Sequence, residues 1–274
     1  MQNNYQVCST WGFYFFNTFD GLSFTFKGNC TYIFTRHCHS VYEDFNIQFR
    51  RTEINTIPII TSMIMKLEGH IVDVDRNTIT CDGQVIQTPF QNTNLKIYTS
   101  GFSVVVFSTP GVEVTWNFAD RLQVKLDDKY INQTCGVCGD FNGFPVFNEF
   151  SDSENIYEYI ENMRYLNAGA PICHIFRKSY TNWALRCFND TCKAILESSE
   201  LSTCANHFDN EAFMQICSYT NCLCGESPEL SQFCFCSAIT EYARQCAIAS
   251  GIPENWRNTE TCRKYLSAVM QKPT

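Results

Sequence analysis

The sequence lacks any apolar run near the roughly 18 residues that a spanning helix needs, so it is not a helical membrane-embedded chain. It also lacks a basic excess. Its 28 acids outnumber its 20 bases for a net charge of -8, which argues against nucleic acid and anionic membrane as partners. It lacks the motifs of familiar catalytic centres. No Gly-x-Ser-x-Gly, Walker loop or His-Glu-x-x-His occurs, and no catalytic dyad can be named. An apolar leader is missing as well, since Met1–Val7 reads MQNNYQV.

Cysteine is abundant, with 17 in 274 residues. The chain is 45% apolar and 18% charged, enough to bury a real core. So many cysteines in such a chain point to a disulfide framework made in an oxidising compartment. A secreted, extracellular protein is therefore expected, and its start is taken as truncated, with the signal peptide outside this sequence. The odd count leaves at least one thiol without an internal partner if all the others pair.

The cysteines divide the chain. Cys8, Cys30, Cys38 and Cys81 are spread over the first half, Cys135-Gly-Val-Cys138 follows, and eleven lie between Cys173 and Cys262. The first region reads as β. Val72 and Val74 alternate with acids, Leu95 and Ile97 precede a Ser100-Gly101 turn, and Phe102, Val104 and Val106 follow at a period of two. After Pro110-Gly111, Val112, Val114, Trp116 and Phe118 alternate with polar residues, and Leu122, Val124 and Leu126 resume the pattern. Asp82-Gly83 is a hairpin signal. Such strands suggest an antiparallel sandwich or barrel-like sheet pair. Ser151–Glu154 offers caps for a short helix over Ile156, Tyr159, Ile160 and Met163, and Ala168–Pro171 reads as a connector. Beyond it, Ala184, Leu185 and Phe188, then Ala194–Leu196 after Cys192, and then Ala238, Ile239, Tyr242, Ala243 and Cys246 have helical character, with Gly251 as a stop. This small helical unit has few large apolar residues, so its disulfides are expected to replace core volume.

The sharpest constellation is Cys135-Gly-Val-Cys138-Gly-Asp140-Phe-Asn142-Gly-Phe144, followed by Asn148-Glu149. Acid and amide oxygens around a glycine-rich turn suit a hard cation such as calcium. They equally suit an ordinary polar loop held by turn hydrogen bonds. The Cys-x-x-Cys follows a strand rather than opening a helix, which favours structural bridges over redox chemistry. Cys222-x-Cys224 and Cys234-x-Cys236 resemble thiolate ligand pairs, but zinc pairs usually have more intervening residues, and disulfides are favoured. In His37-Cys38-His39, neighbouring positions point to opposite faces of a strand, so a joint metal site is not expected and both histidines read as mostly exposed. His70, His174 and His207 form no local pattern. Glycosylation acceptors occur at Asn29, Asn132 and Asn189.

Several stretches point to a family. Cys8-Ser-Thr-Trp11-Gly, Thr18-Phe-Asp20-Gly21, Phe26-x-Gly28-x-Cys30-x-Tyr32 and Cys38 resemble the opening of a von Willebrand factor type D domain, and CGVCGDFNG resembles its end. The cysteines from Cys187 to Cys262, with Glu241-Tyr242-Ala-Arg244-Gln-Cys246 and Trp256-Arg257, resemble the eight-cysteine module that follows. The opening is most similar to the first such assembly of secreted gel-forming mucins. The resemblance implies a mainly β N-terminal domain, an antiparallel sandwich, over residues 1–165. It implies a connector at 166–172, a small disulfide-rich helical module at 173–265 and a tail at 266–274. It implies a structural calcium ion held by Asp20, Asp140, Asn142, the Phe144 carbonyl, Asn148 and Glu149. It also implies disulfides Cys8–Cys138, Cys38–Cys135 and Cys30–Cys173. The pairing of the other ten cysteines stays open, and Cys81 is left over as a free thiol or a bridge to another chain.

The expected function is non-enzymatic: a calcium-stabilised extracellular module in the assembly of a mucin-like polymer, with other D assemblies as partners and no nucleic acid or membrane insertion. The alternatives are a stand-alone extracellular-matrix adhesion module and a disulfide-exchange helper acting through Cys135 and Cys138.

Overall fold

Alternation of buried and exposed side chains builds most of the first half. The computed structural model describes residues 7–38, 40–54, 57–109, 111–145, 156–164, 190–198, 201–206, 213–214, 216–218, 220, 224–225, 228–248 and 262. Fifteen strands are described: β1 (Val7–Trp11), β2 (Phe15–Asn17), β3 (Ser23–Thr25), β4 (Thr31–His37), β5 (Phe45–Ile54), β6 (Ile57–Leu67), β7 (His70–Asp75), β8 (Ile79–Cys81), β9 (Gln84–Val85), β10 (Phe90–Gln91), β11 (Leu95–Ser100), β12 (Ser103–Ser108), β13 (Val112–Trp116), β14 (Leu122–Leu126) and β15 (Thr134–Cys135). One sheet runs β10-β11-β12-β13-β14-β1-β2-β3 and the other β15-β4-β5-β6-β7-β8-β9, with every pairing antiparallel.

The two sheets close over one core. Ile97, Val104, Val106, Val114, Trp116 and Val124 face Phe34, Phe45, Ile47, Met65, Val72 and Val74 within it, and all are fully or almost fully buried. Burying each such side chain stabilises the fold by about 1.5–3 kcal/mol relative to exposure. Asp82-Gly83 joins β8 to β9 with φ of 51° and 77° at its two turn residues, and the flanking residues Cys81 and Gln84 pair. Positive φ at both central positions matches the strand twist of a two-residue hairpin.

Phe118 departs from the expected strand. It lies beyond the end of β13 with φ 57°, because the Asn117 side chain accepts the N–H groups of Ala119 and Arg121, each at 3.0 Å, and forces a turn. Strands β4, β5 and β6 escape an alternation reading because register shifts between Ile33 and Thr35 and between Arg50 and Arg51 break their period.

Three α-helices are described: α1 (Ile156–Asn162), α2 (Asp190–Leu196) and α3 (Pro228–Ile248). The caps expected at 151–154, the connector at 168–171, the helical segment at 184–188 and Gly251 lie outside the described residues. Ala238, Ile239, Tyr242, Ala243 and Cys246 are all buried on α3. Among the described residues, no helix is long and apolar enough to cross a membrane.

A second core forms where the helices meet the outer face of β1 and β2. Adjacent strand residues point to opposite sides, so Phe16 enters the sandwich core while Phe15 joins Trp11, Phe13 and Tyr14 against the helices. Trp11 stacks on Phe15 and Phe213 with ring centroids 4.9 and 6.4 Å away, and Phe213 meets Tyr242 at 5.0 Å. Cysteines do fill much of this core, but strand aromatics also supply volume that the helical sequence lacks.

Among the described residues, the helical region carries the disulfides Cys192–Cys217, Cys204–Cys246, Cys224–Cys234 and Cys236–Cys262. Cys224, Cys234 and Cys236 are thus bridged rather than available to zinc, and Cys222 lies outside the described residues.

Candidate metal centre at the cysteine turn

The turn that carries the acids is built against the second sheet. Thr134 and Cys135 pair with His37 and Arg36, and then Val137 N–H donates to Ile33 O at 3.1 Å and Cys138 N–H to Phe34 O at 2.9 Å. Gly136 has φ 121°, and a Cβ there would lie 2.8 Å from Phe34 O and 3.0 Å from Ile33 O. Only glycine permits this close approach. The Thr134 hydroxyl donates to Gly139 O at 2.9 Å, and Phe19 N–H donates to Cys138 O at 3.2 Å, which brings the segment after β2 to the turn.

Two disulfides anchor the same turn to different sheets. Cys138 bonds Cys8 on β1, with Cα atoms 5.6 Å apart. Cys135 bonds Cys38, just after β4, at 5.9 Å. Cys8 and Cys138 are buried, whereas Cys38 and Cys135 are partly exposed. Arg36 Nε donates to Cys135 Sγ at 3.3 Å, a contact set by strand register and not readable from the sequence. Cys30 is disulfide-bonded, and its expected partner Cys173 lies outside the described residues.

Asp20, Asp140, Asn142 and Phe144 converge at this turn. The buried Asp20 accepts Asn142 N–H at 3.0 Å on Oδ2 and Gly143 N–H at 2.6 Å on Oδ1. Asp140 Oδ2 accepts from Asn142 Nδ2 at 2.8 Å, and Asn142 Oδ1 accepts Phe144 N–H at 2.8 Å. Asp140 Oδ1 is buried and has no hydrogen-bond partner among the described residues. Burial, together with the neighbouring Asp20 carboxylate, raises the Asp140 pKa to about 6. Asn148 and Glu149 lie outside the described residues.

His37 is not mostly exposed as expected. It is 8% exposed, its Nε2 lies 2.9 Å from Gln133 Oε1, and its ring stacks on Phe45. Its strand position faces the space closed by Tyr130, which meets it edge-on at 5.4 Å. His39 is outside the described residues. Asn132 is exposed in a turn, Asn29 is half-buried and its Oδ1 accepts from Tyr14 Oη at 3.3 Å, and Asn189 is outside the described residues. Among the described residues Cys81 is the one free cysteine, and it is buried.

The family model for the von Willebrand factor type D domain matches residues 8–155, and that for the C8 domain matches residues 191–263. Human Mucin-5AC is 33% identical over 276 residues and human Mucin-5B 34% over 273, each covering 98% of this chain. Human Mucin-2 is 29% identical over 266 residues, covering 96%. The chain spans only 5% of the length of each of these three relatives. Matched over more than half its length, the chain belongs to the von Willebrand factor type D domain family.

Proposed function

We propose that this chain is a non-enzymatic, calcium-stabilised extracellular module that takes part in the assembly of a secreted mucin-like polymer. Its partners would be other D assemblies of the same or a related protein. Similarity to three mucins supports the polymer context. The observation that carries the calcium reading is the buried, unpartnered Asp140 Oδ1 beside Asp20. A hard cation bound there would supply positive charge to two carboxylates that otherwise repel. Asp20 and Asp140 would hold it, with the Asn142 side chain and the Phe144 carbonyl; Asn148 and Glu149 are the remaining expected ligands. Asp20 would also keep its grip on the Asn142 and Gly143 N–H groups and thereby tie the segment after β2 to the cysteine turn.

The full chain, stripped with EDTA and then titrated with calcium, tests this by scanning calorimetry. Calcium at 100 times its Kd should stabilise the fold by about 2.7 kcal/mol. Asp140→Asn should abolish that shift and, by relieving repulsion with Asp20, raise the calcium-free Tm by about 2–4 °C. Unaltered melting of the wild type on chelation would refute the metal reading. Sedimentation at neutral and mildly acidic pH tests assembly: a monomer under every condition would favour a stand-alone adhesion module instead.

One observation favours a second reading, disulfide exchange. Partial exposure of Cys38 and Cys135, with Arg36 against the sulfur, leaves this bridge open to a thiolate from solvent. Brief reduction followed by alkylation and mass mapping separates the two: labelling of Cys135 well ahead of every other bridged cysteine supports exchange.

A further inference from the structure

Cys81 and Asp82 are adjacent where β8 enters its hairpin turn, and the β7–β9 meander brings His70 at the start of β7 to them. On β7, residues 70, 72 and 74 share a face, and Val72 pairs with Cys81 across to β8. Cys81 is therefore the diagonal neighbour of His70 on the inward face, where it belongs to the sandwich core at 7% exposure. Asp82, at φ 51° in the hairpin turn, folds back over the pair. Its Oδ1 accepts Ile71 N–H at 2.9 Å, and its Oδ2 lies 2.7 Å from His70 Nδ1 and 4.0 Å from Cys81 Sγ. One imidazole nitrogen, one thiol sulfur and one carboxylate oxygen thus all fall within 4.8 Å of one another.

From this convergence we propose that His70, Cys81 and Asp82 form a three-ligand site for a borderline-soft divalent cation, zinc being the ion it fits. Zinc–sulfur bonds of about 2.3 Å and zinc–nitrogen or zinc–oxygen bonds of about 2.0–2.1 Å put tetrahedral ligands about 3.3–3.6 Å apart. The three atoms need movements only on the order of 1 Å to reach that arrangement. Sulfur and imidazole together select zinc over calcium or magnesium, which take oxygen ligands. Binding would release the Cys81 thiol proton to solvent and leave a thiolate on the metal. Neutral His70 would bind through Nδ1 with its remaining proton on Nε2, and the second Asp82 oxygen would keep its bond to Ile71. Asn92, in the β10–β11 turn of the other sheet, is oriented by the N–H groups of Asn94 and Leu95, at 2.9 and 2.7 Å on its Oδ1, and its Nδ2 stands 3.5 Å from His70 Nε2, a contact that gives way to solvent when zinc on Nδ1 leaves the proton on Nε2. The site lies at the rim of the sandwich, and with the Asp82 side chain 52% exposed an ion has a path in from solvent. The fourth position would be taken by water.

The test uses the full chain with calcium in excess, so that the cysteine turn is not a competitor. Zinc is titrated against a chromophoric chelator, and cobalt is added separately. We expect one equivalent of zinc, a thiolate-to-cobalt charge-transfer band in the near ultraviolet, and slower alkylation of the Cys81 peptide when zinc is present. Cys81→Ser should remove the band, and each of Cys81→Ser, His70→Gln and Asp82→Asn should weaken zinc at least tenfold. His70→Gln and Asp82→Asn lie at the rim, so one well-folded variant suffices if Cys81→Ser misfolds. Absence of stoichiometric zinc, zinc binding indifferent to all three substitutions, or Cys81 alkylation indifferent to zinc would overturn the proposal and leave a simple His–Asp hydrogen bond beside a buried thiol.

Discussion

Glu241 of α3 is 1% exposed and sits between two guanidinium groups. Arg244 donates to both its oxygens, and Arg121, from the β13–β14 turn, lies within 3.1 Å as an ion pair, though not aligned as a hydrogen bond. Burial opposes ionisation, yet Arg244 and Arg121 outweigh it and hold the carboxyl at about 2. Burial lowers Arg121 only to about 10 against the pull of Glu241, so it stays charged at neutral pH. Because the folded value lies below the ordinary 4.5, this contribution to stability is complete above about pH 4.5 and is lost as pH falls towards 2. Glu241→Gln leaves two cations unpaired and should cost about 3–5 kcal/mol at neutral pH, read from denaturant midpoints. The gap between variant and wild type should close below about pH 4.5. None of this was legible from residues 120 apart in sequence. The acids of the cysteine turn were legible as Asp140 and Asn142 around glycines, but Asp20 came only from family resemblance, since nothing local links it to a loop 120 residues away.

At the scale of elements, strands β7, β11, β13 and β14 could be read directly, because their alternating residues meet a core on one side; in β12 Val104–Val106 are buried in succession and Phe102 lies exposed in the turn before it, and α3 is buried without a break over residues 233–239, so more than the expected face is covered. The bulged strands β4–β6 could not. The seam between sheet and helix was equally hidden. It depends on Asp120, whose Oδ2 accepts Gly12 N–H at 3.0 Å and the Ser237 hydroxyl, while Oδ1 accepts from Asn117 Nδ2 at 3.0 Å. Asp120→Ala would strand these donors at a buried junction and should destabilise by about 1–3 kcal/mol for each one left unsatisfied. Thermal unfolding of the variant, set against its far-ultraviolet signal, measures this. Gly136→Ala would drive a methyl group into the β4 backbone at a φ that side chains rarely adopt, so a loss of about 3 kcal/mol or failure to form the Cys38–Cys135 bridge is expected from non-reducing peptide mapping.

Across the whole molecule, one short turn links both sheets covalently, and a second core ties the helices to strands β1 and β2. Access then orders the sulfur chemistry. Under graded reductant the partly exposed Cys38–Cys135 should open before Cys8–Cys138, whose sulfurs lie in the sandwich core. A timed alkylation series reads the order, and simultaneous opening would mean that the sheets separate as one unit.

The Cys8–Cys138 bridge has a mechanical consequence. Its two cysteines are 130 residues apart in sequence, so tension between Cys8 and Cys138 passes through sulfur and not through the strands that lie between them. The roughly 430–470 Å of extended chain inside that loop stays out of reach of force until both that bond and the Cys38–Cys135 bridge nested within it are reduced. A network strand built from such units would be short and stiff under shear when oxidised, and single-molecule extension should show that hidden length appearing only after reductant is added.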